Sequence, residues 1–136
     1  MRKKNILIVD DNVTFSQGLA RLLENKGYNA YMLNKVDEAI EIMDSVIPDA
    51  VIVDIIMPER YGYELINHIK TEYVNIPVIA ISGGSRNLPT KYYLDFAEAL
   101  RADRILKKPF EVNDLIDIIE KFEPIYIADN ERKNRK

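Results

Sequence analysis

The 136-residue chain contains no cysteine. It therefore cannot form a disulfide or a thiolate metal site, and it has no thiol nucleophile, which fits a reducing compartment. Long hydrophobic runs are also missing, since the apolar runs of about four or five residues are too short to cross a bilayer. The first residues lack the apolar core of a signal peptide. These absences favour a cytoplasmic protein.

The sequence has little excess of charge of either sign. Nineteen Lys and Arg stand against 22 Asp and Glu, for a formal charge of −3. Neither nucleic acid nor an anionic membrane is therefore an expected partner. The proportions of hydrophobic residues, 47%, and charged residues, 30%, are typical of globular proteins, and the length suits one domain.

Short apolar runs alternate with amphipathic stretches along the chain. Runs of mainly β-branched residues at 6–9, 50–53 and 78–81 lack polar alternation, as expected for strands covered on both faces. Further strands are predicted at 28–33, after Gly27 as a helix C-cap, and around 105–106. Apolar residues at helical spacing predict five helices, around 15–23, 36–43, 65–69, 93–100 and 112–122.

This alternation predicts a doubly wound α/β domain, in which a five-stranded parallel sheet carries helices on both faces. We assign residues 1–123 to this domain and 124–136 to a short charged tail. In such sheets a site forms beyond the carboxyl ends of the strands, so the residues that follow each strand are the candidates for chemistry.

Polar side chains stand at four of these strand ends: Asp10 and Asp11, Asp54, Ser82, and Lys108. Three neighbouring carboxylates repel one another unless a divalent cation neutralises them, and an oxygen-only ligand set suits Mg²⁺. Such a cation can hold a phosphoryl donor, with the lysine as a fixed positive charge. Asp54 would then be the nucleophile that becomes an aspartyl phosphate.

These residues resemble the response-regulator receiver domains of bacterial two-component signalling, the CheY-like superfamily, over about residues 4–122. The resemblance rests on four pieces in this order: Ile-Leu-Ile-Val-Asp10-Asp11-Asn12, Val-Ile-Val-Asp54-Ile-Ile-Met57-Pro58 with Gly62 beyond it, Ile-Ser82-Gly-Gly, and Lys107-Lys108-Pro109-Phe110. It implies the flavodoxin-like receiver fold, with strand order 2-1-3-4-5.

The resemblance also implies a role for each matching residue. Asp54 matches the phosphoacceptor, Asp11 a direct Mg²⁺ ligand, Asp10 a ligand acting through water, and Ile56 the position whose backbone carbonyl completes the metal shell. In the same way, Ser82 matches the switch hydroxyl and Lys108 the lysine that pairs with a phosphoryl oxygen. A cis peptide bond before Pro109 is common in the family.

Partners follow from the same resemblance. A sensor histidine kinase or a histidine phosphotransfer protein would supply the phosphoryl group, in a two-component system or phosphorelay. A downstream protein would bind the face made by the fourth predicted helix, the fifth strand and the fifth predicted helix, and a homodimer is compatible with this arrangement. We expect a stand-alone receiver that signals by contact and catalyses only its own phosphorylation and dephosphorylation, rather than an enzyme with a turned-over substrate.

Other interpretations stay open at this point. Haloacid-dehalogenase-type phosphatases also use an aspartyl nucleophile with Mg²⁺, but their Asp-x-Asp motif would need an acid at position 12, which is Asn12. Asp10 and Asp11 would be ordinary residues if they only capped a helix. A receiver-like interaction module that works without phosphorylation is the remaining alternative.

Two positions depart from the family pattern. Ile105 stands where receivers often carry a Tyr or Phe, so we expect no aromatic readout on the fifth strand. Arg101 stands where a glycine is common, so we expect the turn before that strand to differ.

Overall fold

A computed structural model describes residues 3–55, 62–73, 75–82 and 101–122. Five parallel strands form one sheet in the order β2-β1-β3-β4-β5. The strands are β1 (Asn5–Val9), β2 (Asn29–Leu33), β3 (Ala50–Asp54), β4 (Val78–Ser82) and β5 (Arg104–Lys107). The helices of the described residues are α1 (Val13–Asn25), α2 (Val36–Val46), α3 (Gly62–Glu72) and α4 (Val112–Lys121).

Burial on both faces of the sheet explains why the strands lack polar alternation. Leu7, Val9, Val51 and Val53 pack on one face against apolar residues of α2 and α3. Their neighbours along the strands, such as Ile8, pack on the other face against α1 and α4. The apolar positions of the central strands are therefore removed from water, and the unbroken apolar runs follow.

The strand register brings the carboxyl ends of the strands to one edge of the sheet. Val9 lies opposite Leu33 on one side and Val53 on the other, and Ser82 lies opposite Lys107. A residue that follows any of these strands is therefore close to those that follow its neighbours. We call this edge the carboxyl edge and the opposite one the amino edge.

The first helix ends on a glycine-based cap. Gly27 has a φ of 98°, and its N–H donates to the Glu24 carbonyl, while the Tyr28 N–H donates to the Leu23 carbonyl. These two bonds form a Schellman motif, which favours glycine at the left-handed position. Because Tyr28 belongs to this cap, β2 begins at Asn29, one residue later than the sequence predicts.

The predicted fold class and strand order are confirmed. Four of the five predicted helices lie in the described part of the chain. The helix labelled α4 corresponds to the fifth predicted helix, around 112–122. The predicted helix around 93–100 and the predicted tail at 124–136 lie outside the described residues. No helix within the described ranges is long and apolar enough to cross a membrane.

The turn before β5 contains one unusual backbone conformation. Arg101 has a φ of 65°, in the left-handed region that favours glycine. Its guanidinium donates to the carbonyl of Lys70 at the end of α3 (3.3 Å).

Ile105, the second residue of β5, is half-buried and packs against the core on the α2 and α3 face.

Candidate functional site

Three carboxylates lie together at the carboxyl edge. Asp10 and Asp11 directly follow β1, and Asp54 is the last residue of β3. One carboxylate oxygen from each lies within 4.8 Å of the others. Asp10 and Asp54 are only 1% and 8% exposed, whereas Asp11 is exposed. This edge therefore carries a concentration of carboxylates, two of them buried and one exposed.

Asp10 is fixed from several directions. One of its carboxylate oxygens accepts a hydrogen bond from the Asn12 N–H (2.9 Å), and the other accepts from the Lys108 ammonium (2.9 Å). Its own N–H donates to the carbonyl of Leu33 in β2 (3.1 Å). The carboxylate is therefore held in one orientation before any ligand arrives.

The cap of α1 is Asn12. Its side-chain oxygen accepts from the Phe15 N–H (3.0 Å), which satisfies one of the unpaired donors of the first helical turn. The interpretation of Asp10 and Asp11 as helix caps is therefore wrong. Because the amide of Asn12 takes this task, neither carboxylate is needed to begin the helix.

Lys108 reaches the pocket from the segment that follows β5. The peptide bond between Lys108 and Pro109 is cis, as the resemblance implies. The ammonium lies 2.9 Å from Asp10 and 4.0 Å from the centre of the Phe15 ring. Phe15 in turn stacks on Phe110, with ring centres 6.0 Å apart and planes at 21°.

Sequence reasoning missed this role of Phe15. Its helical spacing assigned it to the apolar stripe of α1, and the structure does pack it, half-buried, against the core on that face. Nothing in the local sequence connects it with Lys108. The only available signal was that both follow a strand end at the same edge.

Gly62, which belongs to the second of the four motif pieces, lies very close to Asp54. Its N–H donates to the Ile55 carbonyl (2.7 Å), and a Cβ placed on it would lie 2.0 Å from the Asp54 carbonyl oxygen. No side chain fits at that distance, so glycine allows α3 to begin directly against the end of β3. The backbone of Asp54 is therefore held between β4 and α3.

Two further candidates are described less fully. Ser82 is the last residue of β4 and lies opposite Lys107, which places its backbone at the carboxyl edge. Ile56, predicted to offer a backbone carbonyl to the metal, lies outside the described residues.

The donor atoms of the pocket fit a hard divalent cation. Three carboxylates contribute oxygen atoms, and among the described residues neither nitrogen nor sulfur belongs to the cluster. Mg²⁺ prefers carboxylate oxygens and keeps several waters, while softer metals prefer imidazole or thiolate. Asp10, Asp11 and Asp54 are therefore the residues that would hold it.

The sequence matches the family described as the response regulator receiver domain over residues 6–120. The chain belongs to this family. It is thus a receiver domain of two-component systems, and the acidic pocket is the part of the receiver that is expected to bind Mg²⁺.

Two curated relatives illustrate the family. The receiver is 31% identical over 112 residues to the response regulator SaeR of Staphylococcus aureus (strain USA300), covering 82% of this chain and 47% of SaeR. It is 27% identical over 111 residues to the transcriptional regulatory protein DltR of Streptococcus agalactiae serotype III (strain NEM316), covering 82% and 48%. The chain spans about half the length of these relatives.

Solved structures share the fold of the receiver. A receiver domain (CheY-like) from Methylobacillus flagellatus superposes with a TM-score of 0.73 at 25% identity, covering 90% of this chain and all of the other. The chemotaxis response regulator CheY4 of Vibrio cholerae gives a TM-score of 0.76 at 22% identity, with the same coverage. The latter shows likeness of fold alone.

Proposed function

We propose that this receiver is a Mg²⁺-dependent phosphoacceptor that takes a phosphoryl group from a phosphohistidine onto Asp54. The observation that carries the proposal is the grouping of three carboxylates, with oxygens within 4.8 Å of one another, beside the Lys108 ammonium. Like charges are gathered in this way where a cationic ligand offsets their repulsion.

The carboxylates have different tasks in this proposal. Asp11 is exposed and offers an accessible direct ligand for the metal, while the buried and fixed Asp10 acts through water. The bound cation would balance the negative charge on the transferring phosphoryl group. Asp54 lies at the end of a buried strand and is held by the neighbouring backbone, as a positioned nucleophile requires.

The transfer exchanges one bond to phosphorus for another. A carboxylate oxygen of Asp54 forms a bond to phosphorus as the bond between phosphorus and the donor's histidine nitrogen breaks, and that nitrogen keeps the bonding electron pair. The Lys108 ammonium lies 2.9 Å from Asp10 at the same edge, and we expect it to pair with an incoming phosphoryl oxygen. Its positive charge then stabilises the anionic group on Asp54.

Signalling follows from a change of binding surface. Phosphorylation of Asp54 would add anionic oxygens at the sheet edge where β4 ends with Ser82. The hydroxyl of Ser82 would then donate a hydrogen bond to one of them. Phosphorylation would thereby bias a two-state equilibrium that alters affinity for a protein partner. We propose a sensor histidine kinase or a histidine phosphotransfer protein as donor in the cytoplasm, and we expect no conventional enzymatic turnover.

Incubation with Mg²⁺ and acetyl phosphate tests the assignment. The intact mass of the protein should rise by one phosphoryl group, and Asp54→Asn should remove this increase while leaving the fold unchanged. Asp117→Asn makes the same change of charge at an exposed position of α4 and should leave labelling intact.

The alternative of a receiver-like module without phosphorylation makes the opposite prediction. It requires that the wild type stay unlabelled by both acetyl phosphate and phosphorylated histidine kinases while a partner still binds it. Equal labelling of the wild type and Asp54→Asn would instead place the phosphoryl group on another residue.

A further inference from the structure

The Lys108 ammonium contacts an aromatic face as well as a carboxylate. Its nitrogen lies 4.0 Å from the centre of the Phe15 ring, inside the range of about 6 Å in which a cation is attracted to a ring face. Only 19% of the Lys108 side chain is exposed, so water screens this attraction less than at an open surface. The ring is itself stacked on Phe110.

These contacts restrict the position of a flexible side chain. The side chain has four rotatable bonds and loses considerable rotamer entropy when its ammonium is held at one point. Asp10 supplies one anchor, but its carboxylate belongs to the acidic pocket and also holds the Asn12 N–H. A second anchor that is not a metal ligand would keep the ammonium in place when the pocket changes its occupant.

We propose that Phe15 is a positioning residue that holds the Lys108 ammonium beside the acidic pocket, with Phe110 stacked on the same ring. This inference rests on the proposed phosphoacceptor function and specifies how one group of that site is held. The ring face adds no formal charge and accepts no conventional hydrogen bond. The ammonium therefore keeps its N–H donors for Asp10 and for an incoming phosphoryl oxygen.

The first test measures the contact without metal or phosphate. Nuclei above an aromatic face are shielded, so the ε-methylene protons of Lys108 should resonate upfield of the other lysines in the wild type. Phe15→Tyr keeps a ring face and should retain the upfield shift, while Phe15→Leu should abolish it. Ordinary lysine shifts in the folded wild type would overturn the proposal.

The second test separates the ring's electrostatics from its packing. Mono-, di- and trifluorinated phenylalanine at position 15 weaken the negative potential of the ring face stepwise while changing its shape little. With saturating Mg²⁺, the rate constant for labelling by acetyl phosphate should fall at each step, to a total of about threefold to tenfold. A rate that does not change along the series would overturn the proposal.

Phe110→Leu provides the matched control. Phe110→Leu and Phe15→Leu each remove one aromatic ring and thereby the stacking between Phe15 and Phe110. Only Phe15→Leu also removes the ring that contacts the Lys108 ammonium. We expect a clearly larger loss of labelling rate for Phe15→Leu, partial rescue by Phe15→Tyr, and Mg²⁺ affinity within about twofold of wild type in each. Equal losses in the two leucine variants, or a parallel loss of Mg²⁺ affinity, would show a packing role instead.

Failure of the inference and failure of the proposed function are distinguishable. If the wild type takes no phosphoryl group, the proposed function is wrong, and the NMR test still decides whether Phe15 holds Lys108. If the wild type is labelled and the fluorinated series gives one constant rate, the function stands and the positioning role is wrong.

Discussion

The two edges of the sheet differ in how closely their carboxylates are grouped. At the amino edge Asp49 and Asp103 stand apart, and each accepts hydrogen bonds from donors in another part of the chain. Asp49 accepts from the Asn5 N–H (2.7 Å), and Asp103 accepts from the Val78 N–H (2.7 Å) and the Lys70 ammonium (2.5 Å). At the carboxyl edge Asp10 also accepts from a backbone N–H and a lysine, but one of its carboxylate oxygens lies within 4.8 Å of those of Asp11 and Asp54.

This difference separates structural from functional charge. A carboxylate that accepts from the backbone of a neighbouring strand joins two elements and stabilises the fold. Carboxylates grouped within 4.8 Å repel one another, which opposes folding until a ligand neutralises them. We therefore expect substitutions of carboxylates at the amino edge to change stability, and substitutions of carboxylates at the carboxyl edge to change ligand binding.

The largest loss of stability is expected for a substitution of Gly62, which packs closely against the Asp54 backbone. Gly62→Ala would put a Cβ 2.0 Å from the Asp54 carbonyl oxygen. Neither atom can turn away, because the oxygen belongs to the backbone and the backbone fixes the position of the Cβ. We expect the free energy of unfolding to fall by about 3 kcal/mol, measured by urea denaturation.

Gly18→Ala is the matched control for this change. Gly18 lies on the exposed side of α1, where an added Cβ would meet nothing within 4 Å. The same substitution there should raise the free energy of unfolding by about 0.5–1 kcal/mol, because alanine favours helix. Similar losses in both variants would show that the contact at Asp54 is not the cause.

Removing one carboxylate from each edge tests the difference between the two edges directly. Asp103→Ala takes a partner from Lys70 and from the Val78 N–H, so the free energy of unfolding should fall by about 2 kcal/mol, with Mg²⁺ affinity unchanged. Asp11→Ala should leave metal-free stability within about 0.5 kcal/mol of wild type but weaken Mg²⁺ about tenfold or more.

Denaturant titration and calorimetric Mg²⁺ titration measure the two quantities on the same samples. We expect Asp103→Ala to lower the free energy of unfolding and keep Mg²⁺ affinity, and Asp11→Ala to lower Mg²⁺ affinity and keep the free energy of unfolding. Equal Mg²⁺ binding by wild type and Asp11→Ala would contradict the assignment of the acidic pocket.

The smallest effect concerns a partly buried pair at the amino edge. The Tyr28 hydroxyl donates to Glu120, and Lys4 lies 3.5 Å from the same carboxylate. The hydrogen bond from Tyr28 and, less strongly, the charge of Lys4 lower the pKa of Glu120 below its ordinary 4.5, against an opposing effect of burial. Burial is the main cause that raises the pKa of Tyr28.

A carboxyl group whose pKa is lower in the folded protein than in the unfolded chain stabilises the fold at pH values above the unfolded-state pKa. This stabilisation is lost as the pH falls through the folded-state pKa. Tyr28→Phe should therefore cost about 0.5–1 kcal/mol at about pH 7, and the difference from wild type should shrink on acidification below the pKa of Glu120. Urea unfolding across this pH range checks it. A difference that stays constant down to about pH 3 would contradict the role of Glu120.

The sequence was sufficient to predict the sheet and the membership of its acidic pocket. Unbroken β-branched runs such as Ile6 to Val9 predict strands buried on both faces, and parallel strands place Asp10 and Asp54 at one edge. These predictions depend only on local patterns and on a general rule about strand ends.

Contacts between distant side chains could not be predicted in the same way. Tyr28 and Glu120 are 92 residues apart, and their pairing depends on how α4 packs on the sheet face that α1 also covers. Gly62 needs to be glycine only because α3 begins against the Asp54 carbonyl. Arg101 has a left-handed backbone although its residue type disfavours it, so local preference alone misleads there.

The most direct test of the account is a comparison of amide NMR spectra with and without Mg²⁺ and beryllofluoride, a mimic of the phosphoryl group. We predict large shift changes at Asp10, Asp11, Asp54 and Lys108, extending from Ser82 into residues 83–94, with Asn5, Asp49 and Asp103 unchanged. Spectra that do not change, or changes as large at the amino edge as at the carboxyl edge, would contradict the central claim that the gathered carboxylates form the phosphoacceptor site.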